Sequence, residues 1–206
     1  MIKKFTIYGE RCSGTNYLEV IIKSNFNVNI TWEYGWKHFF GFQDKALENS
    51  DDTLFICIIR NPVDWINSLY RNSHHVANHL LNNINKFLNN EFYSYQNDKN
   101  LPGYGNEILE DRNIYTGERY KNIYELRHTK LKWMIEDLPK KVKNYIFIKH
   151  EDLLNNFNET LLKIKNKGLK IKENINFPEN TDKYKKKNYK FVKKVSKFKK
   201  ETILSN

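Results

Sequence analysis

Apolar and polar positions along the chain follow two rhythms. Short, nearly continuous apolar runs fall at residues 3–8, 53–59 and 144–149. Runs of this kind read as strands buried on both faces of a parallel sheet. Between them lie segments with an apolar residue every three or four positions, at 15–25, 61–70, 119–138 and 151–167. These read as amphipathic helices. Residues 27–33, where Val28, Ile30 and Trp32 alternate with polar neighbours, predict another strand, and 76–92 another helix. Strand and helix patterns in alternation imply a three-layer α/β domain, with a mostly parallel central sheet and helices on both faces. Ligands of such sheets bind beyond the carboxyl ends of the strands. Residues 96–118, polar and carrying Pro102, Gly103 and Gly105, break the rhythm and predict an insertion or lid. With no internal repeat and no linker, 206 residues suit a single domain.

The first strand-to-helix junction reads Gly9-Glu10-Arg11-Cys12-Ser13-Gly14-Thr15-Asn16. A turn of this kind aims backbone N–H groups and the positive end of a helix dipole at one point, which suits a phosphate. Gly9 and Gly14 have the spacing of the P-loop glycines, but that pattern continues with Lys and then Ser or Thr. Here Thr15 stands in place of the Lys and Asn16 in place of the Mg²⁺-binding hydroxyl. The loop is therefore suited to a phosphate and poorly equipped for a Mg–nucleotide. A plain strand–turn–helix corner with chance glycines is the alternative. At the next strand end, Arg60 is followed by Asn61-Pro62, a good helix cap and first helical residue, and then by Asp64 in the first turn. Both segments sit at strand carboxyl ends, so they are expected to converge.

Composition narrows the field. Hydrophobic residues make up 39% and aromatics 15% of the chain, enough for a core with several large anchors. No stretch is long and apolar enough to span a membrane. The N-terminus runs straight into the first strand, so the expectation is a soluble, cytoplasmic protein without a secretory signal. Two cysteines, Cys12 and Cys57, supply neither a disulfide framework nor a zinc site. The net charge of +11 is segregated: residues 163–206 hold 15 Lys against 4 acids, and the first 162 residues are neutral. That basic end, with Tyr184, Tyr189, Phe191 and Phe198 interleaved, is a candidate for polyanion contact and keeps a nucleic-acid-binding role open.

Ser13-Gly14-Thr15-Asn16 resembles the 5′-phosphosulfate loop of the PAPS-dependent sulfotransferases. Arg60-Asn61-Pro62-Val63-Asp64-Trp65-Ile66-Asn67-Ser68 resembles their 3′-phosphate motif, with Arg and Ser eight apart. Tyr145 to Leu153, ending Glu151-Asp152-Leu153, is similar to a strand–turn segment late in that P-loop-like fold. The resemblance covers residues 3–165. It implies a metal-independent sulfotransferase that uses 3′-phosphoadenosine-5′-phosphosulfate (PAPS) as donor. Residues 11–16 (Arg11, Cys12, Ser13, Gly14, Thr15 and Asn16) would hold the 5′ end, and Arg60 and Ser68 the 3′-phosphate.

The chain departs from the family at Cys12, where relatives often carry a cation. Either Arg11, one residue earlier, or Lys37 would then stabilise the leaving group. An acceptor losing a proton calls for a general base. His38, 22 residues before Arg60, resembles the family's base in placement, with His74, His75 and Glu19 as rivals. Trp36, Phe39 and Phe40 line an acceptor pocket, stack on adenine or pack in the core. Arg127 and Lys130 read as a solvated helix face. Tyr184-Lys185-Lys186-Lys187-Asn188-Tyr189 reads as a solvated basic helix or tail, or else as the family's C-terminal phosphate clamp. The acceptor stays open among small phenols or alcohols, glycans and tyrosine. The rival functions are a phosphate-loop kinase and a nucleotide- or nucleic-acid-binding protein without catalysis.

Overall fold

Strand β1 (Lys4–Tyr8) pairs in parallel with β2 (Asn29–Ile30) on one side and β3 (Thr53–Ile59) on the other. β3 pairs in parallel with β4 (Tyr145–Lys149), giving the order β2-β1-β3-β4. The structure is a computed structural model that describes residues 1–172, 183–186 and 189–192. Tyr8 lies opposite Cys57, and Ile59 opposite Lys149. The segments that follow β1, β3 and β4 therefore leave the sheet at one edge. This is the doubly covered α/β architecture that the alternating pattern predicts.

The pleat sends alternate side chains to opposite faces. On one face Phe5, Ile7, Ile56 and Ile146 pack against Leu18 and Ile22 of α1 (Thr15–Asn25) and Leu161 and Ile164 of α9 (Phe157–Lys165). On the other, Tyr8, Phe55 and Cys57 meet Tyr34, Phe40, Trp133 and Met134, with Leu47 from the short α2 (Asp44–Leu47). A third cluster lies beyond that face. It joins Trp65, Ile66 and Leu69 of α3 (Pro62–Arg71) to Leu80 of α4 (Asn78–Leu81), Phe87 of α5 (Ile84–Asn89) and Leu126 of α6 (Ile123–Lys132).

Asparagine side chains set several boundaries. The Asn61 side chain accepts from the Val63 and Asp64 amides and starts α3 before Pro62, as expected. The helix expected over 76–92 is two short ones, because Asn83 caps α5 afresh through the Asn85 amide. The helix expected over 151–167 divides at Asn156 into α8 (His150–Asn155) and α9. α6 runs into one wide turn, Trp133–Asp137, before α7 (Leu138–Lys141). Pro139 has no N–H to donate four residues back, and the Leu138 amide bonds five back, to Trp133. β2 is two residues long rather than seven, since the chain turns at Trp32 to bond the Gly35 amide.

Residues 96–118 are irregular apart from one tight turn at Leu109–Asp111 and isolated bridges such as Tyr95 to Glu107. The stretch is nonetheless anchored, because Asp111 is buried. Near the C-terminus β5 (Lys183–Lys186) pairs antiparallel with β6 (Tyr189–Val192), a hairpin where a helix or tail was expected. Lys187 and Asn188 lie outside the described residues, as do the side chains of the hairpin. The phosphate-clamp and polyanion expectations fall there. Among the described residues no helix is long and apolar enough to cross a membrane.

Candidate anion-binding site

The loop between β1 and α1 is held by its carbonyls. Gly9 O accepts from His38 Nδ1 at 2.8 Å, and Glu10 O from the Ser13 amide and hydroxyl at 3.1 and 2.6 Å. Arg11 O accepts from Trp65 Nε1 at 2.9 Å, and Cys12 O from an Arg60 guanidinium nitrogen at 3.2 Å. Cys12 and Gly14 both adopt left-handed backbone, φ +63° and +94°. The two left-handed residues, one on either side of Ser13, turn the chain sharply into the helix. α1 then begins at Thr15, and Leu18 is the residue whose amide first reaches back, to Gly14 O at 3.0 Å. The N–H groups ahead of it have no intrahelical acceptor. Gly9 is needed for closeness: a Cβ there would lie 2.6 Å from Ser13 Oγ and 2.7 Å from Ile58 O.

Lys37 supplies the charge that position 15 lacks. Its buried ammonium donates to Asn16 Oδ1 in the first turn of α1 and lies 4.0 Å from Glu19. The same nitrogen stands 5.9 and 5.1 Å from the rings of Trp32 and Trp36, which contact each other. Trp36 is 45% exposed, whereas Phe40 is core, packed on Tyr8 and Trp133. Glu19 is buried and paired with Lys23 at 2.9 Å.

The two expected halves meet at Cys12. Arg60 donates to its carbonyl, and its thiol donates to Asn72 O, at the end of α3, at 3.8 Å. Burial pushes that thiol above its usual range. Arg60 Nε is buried with no hydrogen-bond partner among the described residues. A guanidinium with a desolvated, unpaired donor is poised for an acceptor from outside. His150, just past the end of β4, completes the rim. A Cβ on Gly14 would lie 2.4 Å from its ring. Burial and the Arg60 charge bring this imidazole down to about 4. The sequence reading passed over His150, although the strand-end rule that found Arg60 applies equally to it.

Under the loop lies a buried charge network. Arg11 donates to the carbonyls of His74 and His75 at 3.1 and 3.0 Å and to Asp111 at 3.1 Å. Lys130 donates to Asp111 and, at 2.6 Å, to His38 O. Ser94 also donates to Asp111, and Arg127 meets Glu10 at 2.7 Å. The Arg11 guanidinium is engaged inside the protein. One expectation is corrected here: Lys130 is buried against Asp111 and His38 O, and Arg127 is nearly buried against Glu10, Arg60 O and the Trp65 ring, where a solvated face was expected. The Ser13 hydroxyl turns inward to Glu10 O. Burial pushes the Glu10 carboxyl up to about 7, against the pull of Arg127, Lys130 and Arg11.

His38 is buried as well, at 9% exposure. Because Gly9 O can only accept, Nδ1 carries the proton and Nε2 keeps its lone pair. Burial holds the ring well below the usual imidazole range. His75 is buried against Tyr95 O, at 3.0 Å, and is brought down to about 4. His74, whose ring lies 3.9 Å from it at a tilt of 43°, is exposed.

No protein-family model matches the chain, and no curated protein matches it in sequence. Among solved structures the chain is similar to mouse sulfotransferase SULT7A1 complexed with PAP, at 13% identity and a TM-score of 0.41. The similarity covers 83% of this chain and 61% of that one, so the chain spans about three fifths of its length.

Proposed function

We propose that this protein is a sulfotransferase that moves the sulfuryl group of PAPS to a hydroxyl or amine acceptor. One observation carries the reading: Arg60 donates to Cys12 O and so joins the Gly9–Asn16 loop to the segment that begins at Arg60, with its Nε left without a partner among the described residues. The donor has two anionic ends, and two anion-ready corners lie side by side. The amides at the start of α1 and the Lys37 ammonium take the 5′-phosphosulfate. Arg60, by forked charge-assisted bonds, and Ser68 take the 3′-phosphate. Asn16 Oδ1, at the position where Mg²⁺ enzymes place a hydroxyl, faces the Lys37 ammonium instead, which favours a metal-independent reaction.

In the proposed step the acceptor oxygen or nitrogen attacks sulfur in line. The bond from sulfur to the 5′-phosphate oxygen breaks, and the acceptor proton passes to His38 Nε2. Lys37 stabilises the charge that develops on the departing oxygen. Arg11 acts through the shape of the loop rather than on the donor. The acceptor is a small molecule, a glycan or a tyrosine, reached past the exposed Trp36.

The test is transfer from labelled PAPS to an acceptor panel, with wild type and His38→Ala compared. Loss of the base should slow turnover by about 10²–10⁴ with affinity for adenosine 3′,5′-bisphosphate unchanged. Full activity in His38→Ala would move the base role to His74, His75 or Glu19. The burial of His38 also favours a second reading, a nucleotide binder without catalysis. Tight bisphosphate binding with no transfer to any acceptor would establish it.

A further inference from the structure

We infer that Arg127 is the positioning residue that sets the distance between the two anion sites. The inference rests on the two-site reading above. The Arg127 fork has one tine on each corner. One terminal nitrogen donates to Glu10 Oε2 at 2.7 Å, within the β1–α1 loop, and the other donates to the Arg60 carbonyl at 2.7 Å, at the end of β3. Its guanidinium carbon lies 4.5 Å from the ring of Trp65, whose own N–H holds Arg11 O. One side chain from α6 thus ties the 5′ loop, the backbone that carries Arg60, and the first turns of α3.

Only arginine can make this connection. Its planar guanidinium presents several donors in a fixed fork, so the two acceptors are held at a set separation. A lysine in its place offers donors from a single nitrogen and cannot keep both contacts at that spacing. Arg127 touches neither end of the donor in this arrangement. Its effect is on how well a ligand engages both ends at once. A ligand with a single phosphate gains nothing from that spacing, and a bisphosphate gains all of it.

The test is calorimetry on the full chain with adenosine 3′,5′-bisphosphate and adenosine 5′-monophosphate. In wild type the bisphosphate binds more tightly. In Arg127→Lys that preference should fall by about tenfold, equivalent to about 1.4 kcal/mol, with monophosphate affinity nearly unchanged. Glu10→Gln, compared at pH 8 where the carboxyl carries its charge, removes that charge from one arm without touching Arg127, and should lower the preference in the same direction by a smaller factor. It decides the matter alone if Arg127→Lys fails to fold. A preference unchanged in the variants overturns the inference while leaving the two-site reading standing. Equal loss of both ligands, in step with a lower melting temperature, also overturns it, because that is what a merely structural arginine would give. A wild-type protein with no preference for the bisphosphate removes the two-site reading, and this inference with it.

Discussion

Arg11 and Arg60 touch the same loop from different sides, and their surroundings differ more than their sequence contexts suggest. Arg11 is buried, and its guanidinium meets three acceptors: two backbone carbonyls and the Asp111 carboxylate. Arg60 is half-buried, bonds Cys12 O, and keeps a desolvated Nε that has no partner among the described residues. The inner region is a closed network in which Arg11, Lys130 and Asp111 answer one another. Arg60 and His150 lie on the outer side of the loop, at the ends of β3 and β4. The difference teaches that a charge near a binding loop is read from the donors it has left. A saturated cation shapes the loop, and an unsaturated one is available to a ligand.

The largest effect that tests this contrast is on stability. Asp111→Ala leaves two buried cations, Arg11 and Lys130, without their shared carboxylate. Breaking a buried pair in this way should cost about 3–5 kcal/mol, read from urea unfolding. A loss below about 1 kcal/mol, the size expected of an exposed pair, would break the contrast. Arg60→Ala should behave oppositely. It should weaken adenosine 3′,5′-bisphosphate binding by about 2–4 kcal/mol and change stability little. If Arg60→Ala unfolds the protein as readily as Asp111→Ala, the rim is structural too.

A smaller effect concerns pH. The Glu10 carboxyl is raised to about 7 in the folded state from an ordinary value near 4.5. Between those values the native protein holds the extra proton, so this group favours folding at low pH, and its contribution falls as pH rises towards 7. His38, His75 and His150 are shifted downward and work in the other direction as pH falls below 6.5. The readable quantity is therefore the difference between wild type and Glu10→Gln. Wild type should lose on the order of 1–3 kcal/mol relative to the variant from pH 4.5 to 7.5. Parallel stability curves would place Glu10 outside the buried network. Ser68→Ala should give the smallest change, on the order of 1 kcal/mol in bisphosphate affinity, since it removes one neutral hydroxyl from the rim.

The same contrast divides what the sequence made legible. Uninterrupted apolar runs marked β1, β3 and β4, and Asn61-Pro62 marked the start of α3, because strand burial and helix capping are local properties. The convergence of the Gly9 loop with Arg60 followed from both lying at strand carboxyl ends. The inner network was not legible. Asp111 is one of several acids in a polar stretch, with Glu107 and Glu110 close by, and nothing local marks it as the partner of residues 100 and 19 positions away. Arg127 and Lys130 flank the apolar Leu126–Leu131 side of their helix and so read as solvated. Distant segments bury them: the Gly9 loop, Arg60 and Trp65 for Arg127, and Asp111 and His38 for Lys130. Ser13 faces inward because the left-handed Cys12 turns the loop, a backbone choice that residue type does not announce. Helix breaks at Asn83 and Asn156 were missed because apolar spacing continues across them.

The most direct test of the central claim is calorimetric titration of the protein with adenosine 3′,5′-bisphosphate, with and without a metal chelator, beside Mg–ATP. The account predicts tight bisphosphate binding, the same with and without chelator, and weaker binding of Mg–ATP. Tighter binding of Mg–ATP, or bisphosphate binding that collapses when the chelator is added, would contradict it.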